Sequence, residues 1–314
     1  MSLLVNLGII AISSIVLIKA VKLFIHSSSR IAHTFHISGY TISFLLVAIA
    51  TSLPEAVVGI TSALEQNPIL SFGNALGSNI ALLTIIVAIP GILNSGIHTH
   101  AIFKSKDIYY TALFSLFALA LSLDGTLNWV DGTALLIGYV IYIVVVLRRS
   151  SPLETLVQTF EHTNVWKQFV FFVFSLGLLL LASEGIVRSA INLSVDLSLN
   201  LGFIGLTIAA IGTSLPEIAY AIGAVKDDKE NEIMGDVIGS VVANSTLVLG
   251  ITAIIHPIKM NGSLMGISSN IFMILALSLF LIFAKTREKI DRKEAVALVA
   301  FYLIFVVFEY FVQA

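Results

Sequence analysis

Apolar residues run along this chain in long unbroken blocks, without the alternation or half-faced periodicity of soluble elements. Ten blocks stand out, at about residues 3–25, 40–64, 68–92, 107–123, 129–147, 166–187, 201–225, 232–255, 264–284 and 294–312. Each is close to or above the roughly 20 helical residues that cross the hydrocarbon of a bilayer. The pattern predicts an all-α membrane protein of ten transmembrane helices, with no room for a separate soluble domain. The longest polar interval, RRSSPLETLVQTFEHTNVWK over residues 148–167, reads as a joint. It divides the chain into a first half of residues 1–150, a connecting loop of 151–165 and a second half of 166–314.

Composition supports this reading: 57% of residues are hydrophobic and 11% charged, against about a quarter charged in soluble domains. Mean hydropathy is +1.00. The first block has no basic region before it and no small-residue cleavage signature, so it is expected to be a retained helix and not a signal peptide. Cysteine is absent, which excludes disulfides, thiol catalysis and thiolate metal sites. With the N-terminus outside, fifteen of the seventeen Lys and Arg residues fall on cytoplasmic loops or inner span ends, and only Arg188 and Lys259 fall outside. The positive-inside bias therefore predicts extracellular termini and a cytoplasmic 148–167 loop.

Two polar motifs interrupt the apolar blocks, and both occur twice. ATSLPE at residues 50–55 returns as GTSLPE at 212–217, and Ala48–Glu55 matches Ala210–Glu217 at seven of eight positions. At the same offset of 162 residues, GNALGS at 73–78 returns as GDVIGS at 235–240. The doubled segments cover 48–82 and 210–244. Five crossings per half is an odd number, so the second half enters the membrane upside down: two inverted five-helix repeats, a plan of secondary transporters that bind substrate at the repeat interface.

The motif chemistry follows from proline, which lacks an N–H and clashes with the carbonyl four residues back. The helix ladder should break near Ala50 and Gly212, freeing carbonyls around 48–50 and 210–212. Thr51, Ser52 and Glu55 share a helical face with them, as do Thr213, Ser214 and Glu217. Such an all-oxygen cluster with two carboxylates suits calcium or sodium, and the lack of cysteine or a nearby histidine argues against zinc or copper. Two glutamates at mid-membrane must be protonated, share sodium ions or hold one divalent cation. Competing occupancies of one site then give counter-transport. An intramembrane enzyme, with Glu55 and Glu217 as acid and base and Ser52 or Ser214 as nucleophile, is the reading of a different class. No lysine or histidine lies within helical reach of those serines to activate them.

These residues resemble the cation/calcium exchanger superfamily, in particular its sodium/calcium exchanger branch, whose two alpha repeats carry a TS[LI]PE helix followed by a GNx[IL]GS helix. The resemblance covers essentially the whole chain. It implies ten helices, with the second, third, seventh and eighth around the ions and the first and sixth as a sliding pair for alternating access. It makes Glu55 and Glu217 the central calcium ligands, assisted by Thr51 and Thr213. Ser52, Ser214, Ser78 and Ser240, with the carbonyls of Ala48 and Ala210, flank them as sodium ligands. One turn beyond Ser78 and Ser240 the family offers polar or acidic side chains, whereas this chain has Leu82 and Asn244. Asn244 fits potassium-independent members; Leu82 removes a ligand and keeps calcium/proton or other divalent-cation exchange open. The proton-coupled branch carries an acid and a histidine after its GN, where Gly77 and Ser78 stand here. Bound calcium and sodium are expected as cargo, with no cofactor, no nucleic acid, no protein partner and no inserted calcium-sensor domain. The implied location is a prokaryotic plasma membrane.

Remaining polar residues read as structural. Asn74 and Asp236 are expected to cap helix starts. Glu184 should sit at the outer interface, and Glu309 should reach out from a span end. The seven histidines fall at span ends or loops, and KDDKENE at 226–232 reads as a charged cytoplasmic turn.

Overall fold

The computed structural model describes residues 3–34, 52–94, 96–99, 107–149, 165–226, 230–260 and 264–313. These form eleven helices. The first half carries α1 (Leu3–Thr34), α2 (Leu53–Leu64), α3 (Pro68–Leu93), α4 (Asp107–Leu121) and α5 (Trp129–Arg149). The second carries α6 (Val165–Asp196), α7 (Leu201–Thr213), α8 (Leu215–Lys226), α9 (residues 230–255), α10 (Leu264–Lys285) and α11 (Arg292–Gln313). Among the described residues seven helices are long and apolar enough to cross a membrane, and three shorter apolar helices accompany them, Leu53–Leu64, Ile108–Asp124 and Leu201–Thr213. The protein is an all-helical membrane protein.

Burial sorts the helices into an inner and an outer set. The apolar stretches of α3 and of α9 are 78% and 72% buried, whereas those of α1 and α6 are 33% buried and that of α11 is 28% buried. The inner helices therefore touch protein on nearly every face, while the outer ones turn Leu4, Ile12, Leu181, Leu303 and Phe311 outward, as a lipid-facing surface does. α1 and α6 pack along each other through Ile10, Leu17, Ala20, Leu179, Ile186 and Ala190.

Three helices widen for one turn into π geometry, at Leu82–Ile86, Gly205–Ala209 and Asn244–Val248. A π turn shifts the hydrogen-bond ladder by one residue and leaves a carbonyl short of its donor. At the third position of each turn stands a threonine whose hydroxyl donates to the carbonyl four residues back: Thr84 to Ile80, Thr207 to Phe203 at 2.7 Å and Thr246 to Val242 at 2.6 Å. Threonine is thus the local device that stabilises the bulge.

The 162-residue offset read from the motifs reappears in the backbone. α1 and α6 have equal lengths of 32 residues, and the π turns beginning at Leu82 and Asn244 stand at the same offset. Two short antiparallel strand pairs cross between the halves. β1 (Ile97–His98) pairs with β4 (Lys289–Ile290), and β2 (Thr126–Leu127) pairs with β3 (Ile258–Lys259). α5 and α11 open on equivalent caps: Asn128 accepts from the Val130 N–H while Asp131 accepts from the Asn128 N–H, and Asp291 accepts from the Glu294 N–H while Glu294 accepts from the Asp291 N–H.

Two expectations are corrected. Glu309 does not reach out to an interface: its side chain is fully buried and accepts from the Ser269 hydroxyl at 3.3 Å. The last turns of α11 are covered there by α10 and by the start of α7, where Phe203 meets Tyr310. Asn74 and Asp236 do not cap helix starts, because α3 begins at Pro68 and α9 at Glu230, so both lie more than a turn inside their helices. Glu184 is partly exposed on α6, 2.7 Å from Arg188, which also approaches Glu65 at 3.5 Å. His33, His36, His100 and His162, Lys104 and Lys106 and most of the 151–165 loop lie outside the residues whose side chains are described.

Candidate functional site

The break that proline dictates is present in the second motif. α7 stops at Thr213 and α8 starts at Leu215, with Ser214 between them at φ −86° and ψ 7°. Ser52, just ahead of α2, has φ −93° and ψ 7°. Each serine carbonyl begins the next helix, accepting from Ala56 N–H at 2.9 Å and Ile218 N–H at 3.1 Å. Pro54 and Pro216 sit in the first turns that follow, where a missing N–H costs nothing. The serine backbone angles and the helix start that follows therefore occur twice, each ahead of a buried glutamate.

The GNALGS glycines bring the two halves together. A β-carbon on Gly77 would lie 2.7 Å from the carbonyl carbon of Leu206 and 2.8 Å from the β-carbon of Ala210. One on Gly73 would lie 2.9 Å from the Leu206 nitrogen, and one on Gly205 2.6 Å from the Leu70 oxygen. Side chains at these positions would hold α3 away from α7. Their absence allows backbone-to-backbone packing, the role small residues four apart play in membrane helices.

That approach delivers Ser78 of α3 to the second motif. Its hydroxyl lies 3.3 Å from Glu55 Oε1, 3.4 Å from the Thr213 hydroxyl and 3.5 Å from the Ala210 carbonyl oxygen. Ser214 donates to Ser78 at 3.1 Å and lies 3.5 Å from Glu55 Oε1. Thr213 donates to Asn74 Oδ1 at 3.1 Å. Glu55, from the first motif, thus stands among hydroxyls of the second. Glu217, from the second motif, is buried at 2% exposure.

Several buried oxygens of the two motifs and of Asn244 are short of donors. Among the described residues Glu55 Oε2, Glu217 Oε2, Ser52 Oγ and Asn244 Oδ1 are buried without a hydrogen-bond partner. Of these, the two carboxylate oxygens and the amide oxygen can only accept when the acids are ionised, and buried acceptors require a donor or a cation. Among the described residues no three His, Asp or Glu side chains converge. The chemistry on offer is two carboxylates plus neutral oxygens, a set that suits hard cations. Ser240 and Ala210 are buried as well, and Leu82, opening its π turn, is 1% exposed. Thr51 and Ala48 lie outside the described residues.

The sequence reading missed some participants. Asn74 receives Thr213, and its Nδ2 is left unpartnered among the described residues. Asn79 donates to the Ser245 hydroxyl at 2.9 Å, joining α3 to the third π turn. The place of Asn74 inside GNALGS was the available signal for the first; Asn79 and Ser245 carry none, because their counterparts in the other half are Val241 and Leu83.

The chain is similar to known proteins along most of its length. The family described as sodium/calcium exchanger protein matches residues 5–148 and again 167–311. The sodium/calcium exchanger MaX1 of Methanosarcina acetivorans is 24% identical over 356 residues, covering 98% of this chain and 99% of that protein. The inner membrane protein YrbG of Escherichia coli is 29% identical over 243 residues, 74% of each chain. A solved structure of the sodium-calcium exchanger NCX_Mj, soaked with 10 mM Na+ and 10 mM Sr2+, superposes with a TM-score of 0.66 at 28% identity, covering 98% of this chain and 99% of that one.

Proposed function

The chain belongs to the sodium/calcium exchanger protein family and is a transmembrane antiporter of that family, and on that premise we propose that it exchanges sodium for calcium by alternating access. The seven long apolar helices and the three shorter ones make ten crossings in two inverted repeats, with both termini extracellular and the 148–167 loop cytoplasmic. The repeated π turns, equal helices and reciprocal strand pairs support this arrangement. α1 and α6, the lipid-facing pair, slide across the inner helices to open each side in turn.

The ions bind at the repeat interface. Glu55 and Glu217 hold one calcium, assisted by Thr51 and Thr213. Ser52, Ser214, Ser78 and Ser240, with Asn244 and the carbonyls of Ala48 and Ala210, complete sodium sites on either side. Two carboxylates match one divalent ion in charge. Sodium ions that share the same oxygens displace it, and no more than one set of cargo fits at a time. Because buried charge without a counter-ion costs several kcal/mol, the empty site is disfavoured, which enforces exchange over leak.

One observation carries the reading: the first-motif acid Glu55 lies within hydrogen-bond reach of the second-motif Ser214 and of Ser78, while a second oxygen on each glutamate has no partner among the described residues. The test is calcium-45 uptake into proteoliposomes under an imposed sodium gradient. Uptake that requires internal sodium and disappears in Glu55→Gln and in Glu217→Gln supports the proposal; wild-type uptake indifferent to sodium refutes it. Leu82, a buried apolar side chain at the position where the other half offers Asn244, favours a second reading, calcium/proton exchange. Uptake driven by a pH jump in the absence of sodium would establish it.

A further inference from the structure

The inner helices α3 and α9 come from opposite halves and are joined by side-chain bonds at two levels. Asn79 Nδ2 donates to the Ser245 hydroxyl at 2.9 Å, and the Ser71 and Thr252 hydroxyls lie 2.8 Å apart. All four side chains are buried. Numbers rise along α3 as they fall along α9, so the two helices run antiparallel. Neither belongs to the sliding pair.

Asn79 and Ser245 each adjoin a residue of the candidate site. Asn79 follows Ser78, whose hydroxyl lies 3.3 Å from Glu55 Oε1. Ser245 follows Asn244, which opens the π turn Asn244–Val248 and whose Oδ1 is buried without a partner among the described residues. A π turn takes an extra residue into the helix ladder, so the direction of the side chain that opens it depends on what holds the turn. Thr246 holds this one from within α9, donating to the Val242 carbonyl at 2.6 Å, and Asn79 holds it from α3. Ser245 can donate or accept, so the contact stands whichever way round the Asn79 amide lies.

The repeat supplies an internal control. At the 162-residue offset Asn244 corresponds to Leu82, Ser245 to Leu83 and Asn79 to Val241. The π turn at Leu82–Ile86 keeps its threonine bond, from Thr84 to Ile80, and packs on α9, yet Leu83 and Val241 are fully buried apolar residues. A π turn at this place therefore does not need an amide–hydroxyl bond to the opposite half. The bond occurs where the turn opens on an amide and is missing where it opens on leucine.

Resting on the exchange reading above, in which Asn244 belongs to the sodium sites, we infer that Asn79 is a positioning residue: by holding Ser245 it fixes the π turn of α9 so that the Asn244 carbonyl oxygen is aimed at a bound sodium ion. Asn79 acts through its neighbour in α9 and not on the ion. A neutral amide oxygen adds no charge, so its loss bears on the monovalent ion, while the two glutamates remain to hold calcium. The contact joins two inner helices and stays in place while α1 and α6 slide.

The test compares wild type with Asn79→Leu, close in shape and without hydrogen-bonding groups, and with Ser245→Ala, each alone and combined with Asn244→Ala. Melting temperature in detergent is titrated with NaCl, balanced by choline chloride, and separately with CaCl2. Asn79→Leu and Ser245→Ala should each need about tenfold more sodium for half-maximal effect, the low end of the loss when the partner that orients a metal ligand is removed. Their calcium response should stay within about twofold of wild type. On the Asn244→Ala background, where the aimed oxygen is gone, neither change should weaken sodium further. Ser71→Ala removes the other α3–α9 bond, about two turns along α9, and should leave the sodium response at the wild-type value. An unchanged sodium response in Asn79→Leu and Ser245→Ala, equal weakening of sodium and calcium, the same weakening in Ser71→Ala, or a loss that persists on the Asn244→Ala background overturns the positioning role while leaving exchange intact. Asn244→Ala that responds to sodium like wild type overturns it too. A wild-type protein that responds to calcium but not to sodium overturns the exchange reading and this inference with it.

Discussion

Replacing Gly77 with alanine tests whether helix proximity, rather than the motif side chains alone, creates the site. The new β-carbon would meet the Leu206 carbonyl carbon at 2.7 Å and Ala210 Cβ at 2.8 Å, whereas carbon atoms pack at about 3.5–4.0 Å. Both obstacles belong to or sit directly on the α7 backbone, so relief requires α3 and α7 to part by roughly 1 Å. Ser78 is the next residue. Its distances of 3.4 Å to Thr213 and 3.5 Å to the Ala210 oxygen are already at the edge of hydrogen bonding, and a further 1 Å or so ends both. Overpacking of this kind costs about 1–3 kcal/mol of stability. The larger effect should be on cargo: half-maximal calcium stabilisation in a detergent melting assay should move by about tenfold or more, since displaced oxygens lose most of their hold on an ion. Gly177→Ala is the control, because a β-carbon there meets nothing within 4 Å; helix propensity alone predicts a gain of about 0.5–1 kcal/mol. A Gly77→Ala protein that melts lower but binds and transports calcium like wild type would show that the close α3–α7 approach does not position the ligands.

Further outcomes follow from other contacts. Leu82→Asn places an amide in a fully enclosed position, so the ion-free protein should lose about 1–3 kcal/mol, with calcium restoring more stability than it gives wild type; equal calcium gains in both would place residue 82 away from the ion. Ser71→Ala removes a 2.8 Å bond to Thr252, but Thr252 keeps its bond to the Val248 carbonyl. The expected cost by chemical denaturation is therefore about 0.5–1.5 kcal/mol with unchanged ion response. Asn128→Ala removes the cap that receives the Val130 N–H at 2.7 Å, for about 1 kcal/mol, and hydrogen exchange should rise in the first turn of α5 and not elsewhere.

What could be read from the sequence divides along a physical line. The break at Ser214 was legible because proline's missing N–H acts locally, whatever surrounds it. The meeting of the halves was legible because polar groups buried in apolar blocks and repeated at a fixed offset need polar partners, and Glu55 finds them in Ser78 and in Ser214 of the other half. Asn74 and Asp236 were misread because a cap is inferred from where a helix starts, and an apolar block that continues past its polar residues hides that start. Glu309 was misread because its burial depends on α10 and α7 closing over the end of α11, a tertiary event with no local signature. The π turns left a faint trace in Thr84 and Thr246, which share the repeat offset, but a threonine in an apolar helix does not announce that it serves a freed carbonyl.

Ser14 illustrates the same limit from the other side. A lone serine in a lipid-facing helix is unremarkable by composition, and the replacement of Gly212 by Ala50 across the repeat reads as a mild change. Only when α1 lies over α7 does the missing β-carbon become the space for a hydroxyl, and two trivial residues become one asymmetry. Ser14 with Gly212, Leu82 against Asn244, and Asn79 against Val241 are positions at which the two halves of this chain differ.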